Sequence, residues 1–336
     1  MTFASTLSKL LSILGVGLAL TGPGQTQTRT LRVGDNVPST SVQALALDKF
    51  AELVNAKNAG VEIKVFHNSQ LGPSPLQVQN VKLGVQDMAL GGITFLESFS
   101  ADLRIAETPF SFSSREHFEN WFRSPQFQTI LTEVVKNGNQ RFLNTNVIWK
   151  RGPFRVLVAK KPVLNLDEFK NMKLRLWESE VANRFYGKPG LGATSVNIPL
   201  GDVYLSIRQG LVDGLTLPFD LLLSMNLQEV APHIMLIDEF WQALPITINE
   251  DKWKGLTPGQ QKVIVDAVDA AGAWYNDQVA ASVDKWKAAL VAAGATFHEV
   301  NRAPFVERIR ERNKQWQKDG YWRAGLIDEI EAIRAN

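Results

Sequence analysis

The sequence predicts an α/β protein built as two similar lobes, and three observations carry that reading. Segments with strand and helix periodicity alternate along the N-terminal half, the pattern of α/β layers with a largely parallel sheet. A chain of 336 residues exceeds what one hydrophobic core usually organises. A short unit recurs as well: "LGVQDMAL" (83–90) and "QGLVDGLT" (209–216) each place a glycine at a helix end, then two residues, an aspartate and an apolar strand. Gly84 and Gly210 suit the left-handed conformation that closes a helix.

Taken in order, Lys9 precedes the apolar run "LLSILGVGLAL" (10–20) and the breaker-rich "TGPGQTQT". That run is shorter than the roughly 20 residues of a membrane span and fits an export signal over residues 1–24, with an uncleaved anchor as the alternative. "LRVGDN" (31–36) alternates as a strand, and "SVQALALDKFAELVNAKN" (41–58) repeats Leu45, Phe50, Leu53 and Val54 at helical spacing. "VEIKVF" (61–66) is the next strand, and a turn then leads to a helix ending at Gly84. The C-terminal third is helical from "LTPGQQ" onward. Thr257 with Gln260 reads as a capping box, Pro258 as the first helical residue and Gly294 as the stop. Unbroken, that helix would cross both lobes; two helices separated at Gly272 fit equally.

Composition excludes several classes of function. A formal net charge of +2 without a dense Lys/Arg run argues against nucleic acid or a polybasic membrane patch. Cysteine is absent, which removes disulfides, thiolate metal sites and a cysteine nucleophile. The four histidines, His67, His117, His233 and His298, are scattered without metal-ligand spacing and read as surface or satisfied core residues. There is no nucleophile elbow or P-loop, and "GKPGLG" (187–192) reads as a loop. The adjacent pairs Asp167/Glu168 and Asp238/Glu239 share no face of a regular element, and each is expected to begin a helix or face water. No cofactor, metal or catalytic group is indicated.

Two strands carry an arginine where a hydrophobe is expected, Arg155 in "FRVLVA" and Arg175 in "KLRLW". The period of two puts Lys173, Arg175 and Trp177 on one face and Leu174 with Leu176 on the other. Such an arginine marks a solvated edge, a structural ion pair or an anion site.

The chain resembles the substrate-binding proteins of tripartite ATP-independent periplasmic (TRAP) transporters from about Leu31 to Gly320. The resemblance is carried by "FHNSQLG", "VQDMAL", "ETPFSF", "LDEFKNMKLRLWES", "GDVYLSIRQGLVDG" and "INEDKWKGLTPGQQ" in this order. It implies a type II-like periplasmic-binding-protein fold: each lobe a mixed, mostly parallel sheet flanked by helices, with a long C-terminal helix spanning both. Lobe I is expected over 29–152 plus 243–281, and lobe II over 153–242 plus 282–325. The resemblance further implies a monomeric periplasmic receptor that binds a small organic carboxylate in the inter-lobe cleft, with no chemistry on it. Its partners would be the small and large membrane subunits of a permease. A sensor or scavenger on the same fold, and a periplasmic enzyme for small acids, are the competing readings.

In that family the arginine matching Arg175 forms a bidentate ion pair with the ligand carboxylate, and the one matching Arg155, twenty positions upstream, assists it. A planar fork of donors suits a carboxylate in geometry as well as charge. Here "DGLTLP" replaces the family's "DGQENP", so Leu217 stands for a ligand-touching asparagine and Thr216 is the nearby polar substitute. Gly92, with Gly91, occupies a position that is acidic in sialate-type members, and Trp177 followed by Glu178 replaces a proline. Asn36, Phe66, Gly92 and Trp241 are expected to reach the ligand from the opposite lobe, and Trp149 is a further cleft candidate. Fewer hydrogen-bonding groups and more indole imply an aromatic or aliphatic acid rather than a sugar acid.

Overall fold

The computed structural model describes residues 28–152 and 154–333, and the expected export signal lies outside them. In chain order the strands are β1 (Arg29–Gly34), β2 (Val61–Phe66), β3 (Met88–Leu90), β4 (Gln140–Phe142), β5 (Lys150–Arg151), β6 (Arg155–Ala159) and β7 (Lys173–Leu176). They continue as β8 (Thr194–Asn197), β9 (Gly214–Pro218), β10 (His233–Leu236), β11 (Gln242–Ala243), β12 (Ile246–Asn249) and β13 (Thr296–Glu299). One sheet has the order β2-β1-β3-β12-β4, the other β13-β10-β6-β9-β7-β8. A ribbon of β5 and β11, pairing Arg151 with Gln242, carries the chain between them.

Both sheets are mixed. Within each run of strands alternating with helices the neighbours are parallel, as β1 is to β2 and β3, and β7 to β8 and β9. β6 and β12, by which the chain enters each lobe from the ribbon, run antiparallel to both of their neighbours.

The repeated unit takes the same form twice. Gly84 and Gly210 have φ of +71° and +77°. The N–H after each reaches back to close its helix, Val85 to Asn80 O at 2.9 Å and Leu211 to Ser206 O at 3.0 Å. The aspartate of each unit then accepts a backbone N–H from the neighbouring strand: Asp87 from Arg32 at 2.9 Å, Asp213 from Lys173 at 2.8 Å. The glycine turns the chain and the carboxylate fixes where the next strand docks. In the first helix, Val42–Asn55, Ser41 caps Ala44 N, and Leu47, Phe50 and Val54 are buried, whereas Leu45 is 46% exposed.

The C-terminal helix is continuous over Pro258–Ala292 with the Thr257/Gln260 capping box formed, about 52 Å long at 1.5 Å per residue. Ile264, Val268, Ala271 and Tyr275 pack in the core of the first sheet with Leu31, Phe50 and Ile246. Farther along, Val283, Trp286 and Leu290 pack with Val156, Leu215 and Phe219 of the second. Gly272 does not break the helix, because it is there to admit an indole. Trp149 is fully buried and donates Nε1–H to Val268 O at 3.1 Å. A Cβ on Gly272 would lie 2.3 Å from that nitrogen. Trp149 is therefore a core residue, not a cleft residue as the sequence suggested. Gly272→Ala is expected to destabilise by about 1–3 kcal/mol through overpacking, more than the roughly 1 kcal/mol that alanine gains in helix propensity. A higher calorimetric midpoint for the variant would show that the indole can move aside.

Candidate functional site: a cleft with three buried arginines

Arg155 and Arg175 leave the second sheet from opposite faces. β7 and β9 pair Arg175 with Leu215, while β6 and β9 pair Leu157 with Thr216 and Arg155 with Pro218. Arg175 thus shares the face of Leu215 and Leu217, and Arg155 that of Leu157 and Thr216. Both line one cavity of about 390 Å³, together with Asn36, Thr216, Leu217 and Trp177. An adjoining recess of about 340 Å³ is lined by Asn36, Ser74, Arg175, Trp177, Glu178 and Leu200. A larger groove of about 580 Å³ lies elsewhere, between Phe110, Ile309 and Ile330, and holds none of these arginines.

The two arginines differ in what they hold. Arg155 is committed: Nε donates to Glu239 Oε1 at 3.2 Å, Nη1 to Gln242 Oε1 at 3.4 Å, and Nη2 to Thr216 O at 2.7 Å and Oγ1 at 3.0 Å. Its guanidinium also lies 4.6 Å from the Trp177 ring and 5.1 Å from that of Phe240. Arg175 is 4% exposed and, among the described residues, donates only through Nε, to Ile198 O at 2.8 Å. Among the described residues no carboxylate oxygen stands within 4.0 Å of it. Burial, then the charges of Arg155 and Arg151, push Arg175 down to about 9, against a smaller opposing pull from Glu178. It stays cationic at neutral pH, with both terminal nitrogens uncommitted.

The sequence reading missed three members of this cluster. Arg151, 8% exposed on β5, donates Nη1 to Gln242 Oε1 at 3.4 Å, and burial lowers its pKa while Asp220 opposes that. Glu107, in "ETPFSF", accepts from Thr94 Oγ1 at 2.6 Å and Gln242 Nε2 at 2.5 Å. Glu239 corrects an expectation. It neither begins a helix nor faces water: it is 1% exposed against Arg155, and burial raises its pKa. Asp238 beside it sits at φ +45° and pairs with Arg302 at 3.3 Å, so the neighbours diverge in an irregular segment.

The other expected contacts divide. Asn36, Thr216, Leu217, Trp177 and Glu178 line the cavity or its recess. Trp177 also donates Nε1–H to Thr94 Oγ1 at 3.3 Å, joining the lobes. Phe66 lines neither space; its ring lies 5.4 Å from the Lys64 ammonium, and its carbonyl accepts from Asp35 N–H. Trp241 packs on the aromatic core instead. Gly92 lines a separate recess behind Phe95.

Next to Asn36 the first lobe is tied by an ion pair. His67 bridges Asp35 at 2.8 Å and Asp48 at 3.0 Å, and hydrogen bonding to Asp35 raises its pKa to about 9 against the cost of burial. A raised histidine pKa stabilises fully below the unfolded value of about 6.5, and that stability fades as pH climbs through the folded value. His67→Gln is therefore expected to cost about 1 kcal/mol at pH 6 and little at pH 9.5, read from urea midpoints. An equal loss at both pH values would exclude the charged pair.

A cleft between two α/β lobes, with an uncommitted buried cation on one wall, defines a binding protein for a small solute. The chain belongs to the bacterial extracellular solute-binding proteins of family 7, whose family model matches residues 33–319, and its relatives are TRAP solute-binding proteins. The C4-dicarboxylate-binding periplasmic protein of Rhodobacter capsulatus is 24% identical over 301 residues, covering 88% of this chain and 87% of its own. A TRAP periplasmic solute-binding protein of Fusobacterium with bound sn-glycerol-3-phosphate superposes at TM-score 0.84 with 22% identity, over 91% of this chain and 97% of that one. Another from Roseobacter denitrificans OCh 114, with bound L-galactonate, gives 0.82 and 21%, over 90% and 99%. These likenesses establish the two-lobed fold.

Proposed function

We propose that this protein is an extracytoplasmic receptor that binds a small organic carboxylate between its lobes and delivers it, chemically unchanged, to a TRAP-type permease of small and large membrane subunits. The observation that carries the reading is Arg175, buried to 4% with its terminal nitrogens free and lining both cleft spaces. A carboxylate can take both terminal nitrogens at once, and hydrogen bonds to charged groups contribute about 1.5–3 kcal/mol each. Arg155, held by Glu239, Gln242 and Thr216, gives positive potential and a rigid wall rather than a second fork. Membership in a family of binding proteins and bound acids in its structural neighbours support the same reading. Phe95, Trp177, Leu200, Leu217 and Leu221 make the lining more apolar than polar, which favours an aliphatic or aromatic acid.

Closure follows from differential affinity: the acid stabilises the closed form by as much as it binds that form better. The test is a thermal-shift screen of aliphatic, aromatic, hydroxy and sugar acids against matched amides, because a ligand of the folded state raises the midpoint. Acids are expected to shift it and amides not. A midpoint raised by an amide as much as by its acid would remove the role of Arg175.

A further inference from the structure

We infer that Phe95 sets which acids the site accepts, by closing the arginine cavity against a second apolar compartment; the inference rests on Arg175 holding the carboxylate. Among the described residues Phe95 is the one side chain that lines the arginine cavity, its mouth recess and a third space of about 290 Å³. That third space is walled by Val78, Ala89, Leu90, Leu96 and Pro245, with Ser74 shared with the mouth. Gln77 and Thr247 add polar groups at its edge, but its exposed lining is mostly apolar and holds no charged side chain.

The turn that carries the ring is fixed. Ile93, Thr94 and Leu96 are at most 2% exposed, and Thr94 Oγ1 donates to Glu107 and accepts from Trp177. Phe95 is the half-buried member of Ile93–Leu96, presented to the cleft instead of the core. Its ring lies beside two glycines: a Cβ on Gly91 or Gly92 would stand 3.7 or 3.6 Å from it, and one on Gly92 would also meet Gln242 Nε2 at 3.1 Å and Glu107 Oε1 at 3.3 Å. The ring is a partition with space on both sides. The protein therefore takes a carboxylate with a short or planar body lying along Trp177 and Leu217. Without the ring, a longer tail can cross into the compartment beside Gly91 and Gly92.

Calorimetry with straight-chain and ω-phenyl carboxylates of increasing length, on wild type, Phe95→Leu and Phe95→Ala, tests this. The wild type is expected to bind short members best. Phe95→Ala should move the optimum by two or more carbons and raise the long-to-short affinity ratio at least tenfold, as burying two methylenes implies. Phe95→Leu should fall between, and it supports or refutes the trend even if the alanine variant folds poorly. An unchanged length profile with a uniform loss of affinity would overturn the partition and leave Phe95 a packing residue. Failure of every acid to bind the wild type would overturn the Arg175 reading and this one with it.

Discussion

Replacing Arg175 by methionine is expected to abolish the rise in melting temperature produced by acids while leaving the unliganded protein as stable as before, or more so. Arg175 is enclosed, makes one hydrogen bond to Ile198 O, and meets the like charges of Arg155 and Arg151. An unpaired buried charge is a cost to the folded state that the ligand's anion relieves. Methionine of similar length removes the cost and the anion site together. Loss of two charge-assisted hydrogen bonds at about 1.5–3 kcal/mol each corresponds to about 10²–10⁴-fold in affinity. Lysine at this position keeps the charge and loses the fork, so it should recover only part. Titration calorimetry and thermal melts of the same preparations decide: intact binding with a large fall in stability would make Arg175 a structural residue.

Arg155 and Glu239 should behave in the opposite way. Side-chain exposures of 5% and 0% place this pair among those whose disruption strands a charge in the interior. Removing one member of a buried pair typically costs about 3–5 kcal/mol. The two losses should be unequal. When Arg155 is gone, Glu239 can take up a proton, a step that burial already favours. When Glu239 is gone, the guanidinium has no such escape at neutral pH. Glu239→Ala is therefore the more damaging change, and the double replacement Arg155→Met with Glu239→Leu should restore much of the stability. Urea denaturation of the two single variants and the double one completes the cycle. Strictly additive losses would mean that the ion pair is not the source of either.

What could be read before the structure is what local chemistry determines. The closing glycines at 84 and 210, the Thr257 cap and the odd arginine in β7 all follow from rules spanning a few residues. What could not be read depends on partners distant in the chain. Whether Gly272 broke its helix was decided by Trp149, more than a hundred positions away. Glu239 was placed by adjacency rules for regular elements, but it lies in a segment where Asp238 adopts φ +45°. Phe95 occupies a 3₁₀ turn too short for a periodic signal. Of the cleft lining, the sequence indicated Arg155, Arg175, Trp177, Glu178, Thr216, Leu217 and Asn36. Arg151 and the Glu107–Gln242 connection arise only when β5 and β11 pair.

The helix Pro258–Ala292 is rooted in the interior of both halves. Neither half can lose its structure while the other keeps a complete interior. Denaturation is therefore expected to proceed as one cooperative event, so that an anion captured at one wall of the cleft would protect the entire molecule from unfolding, including the half it touches least.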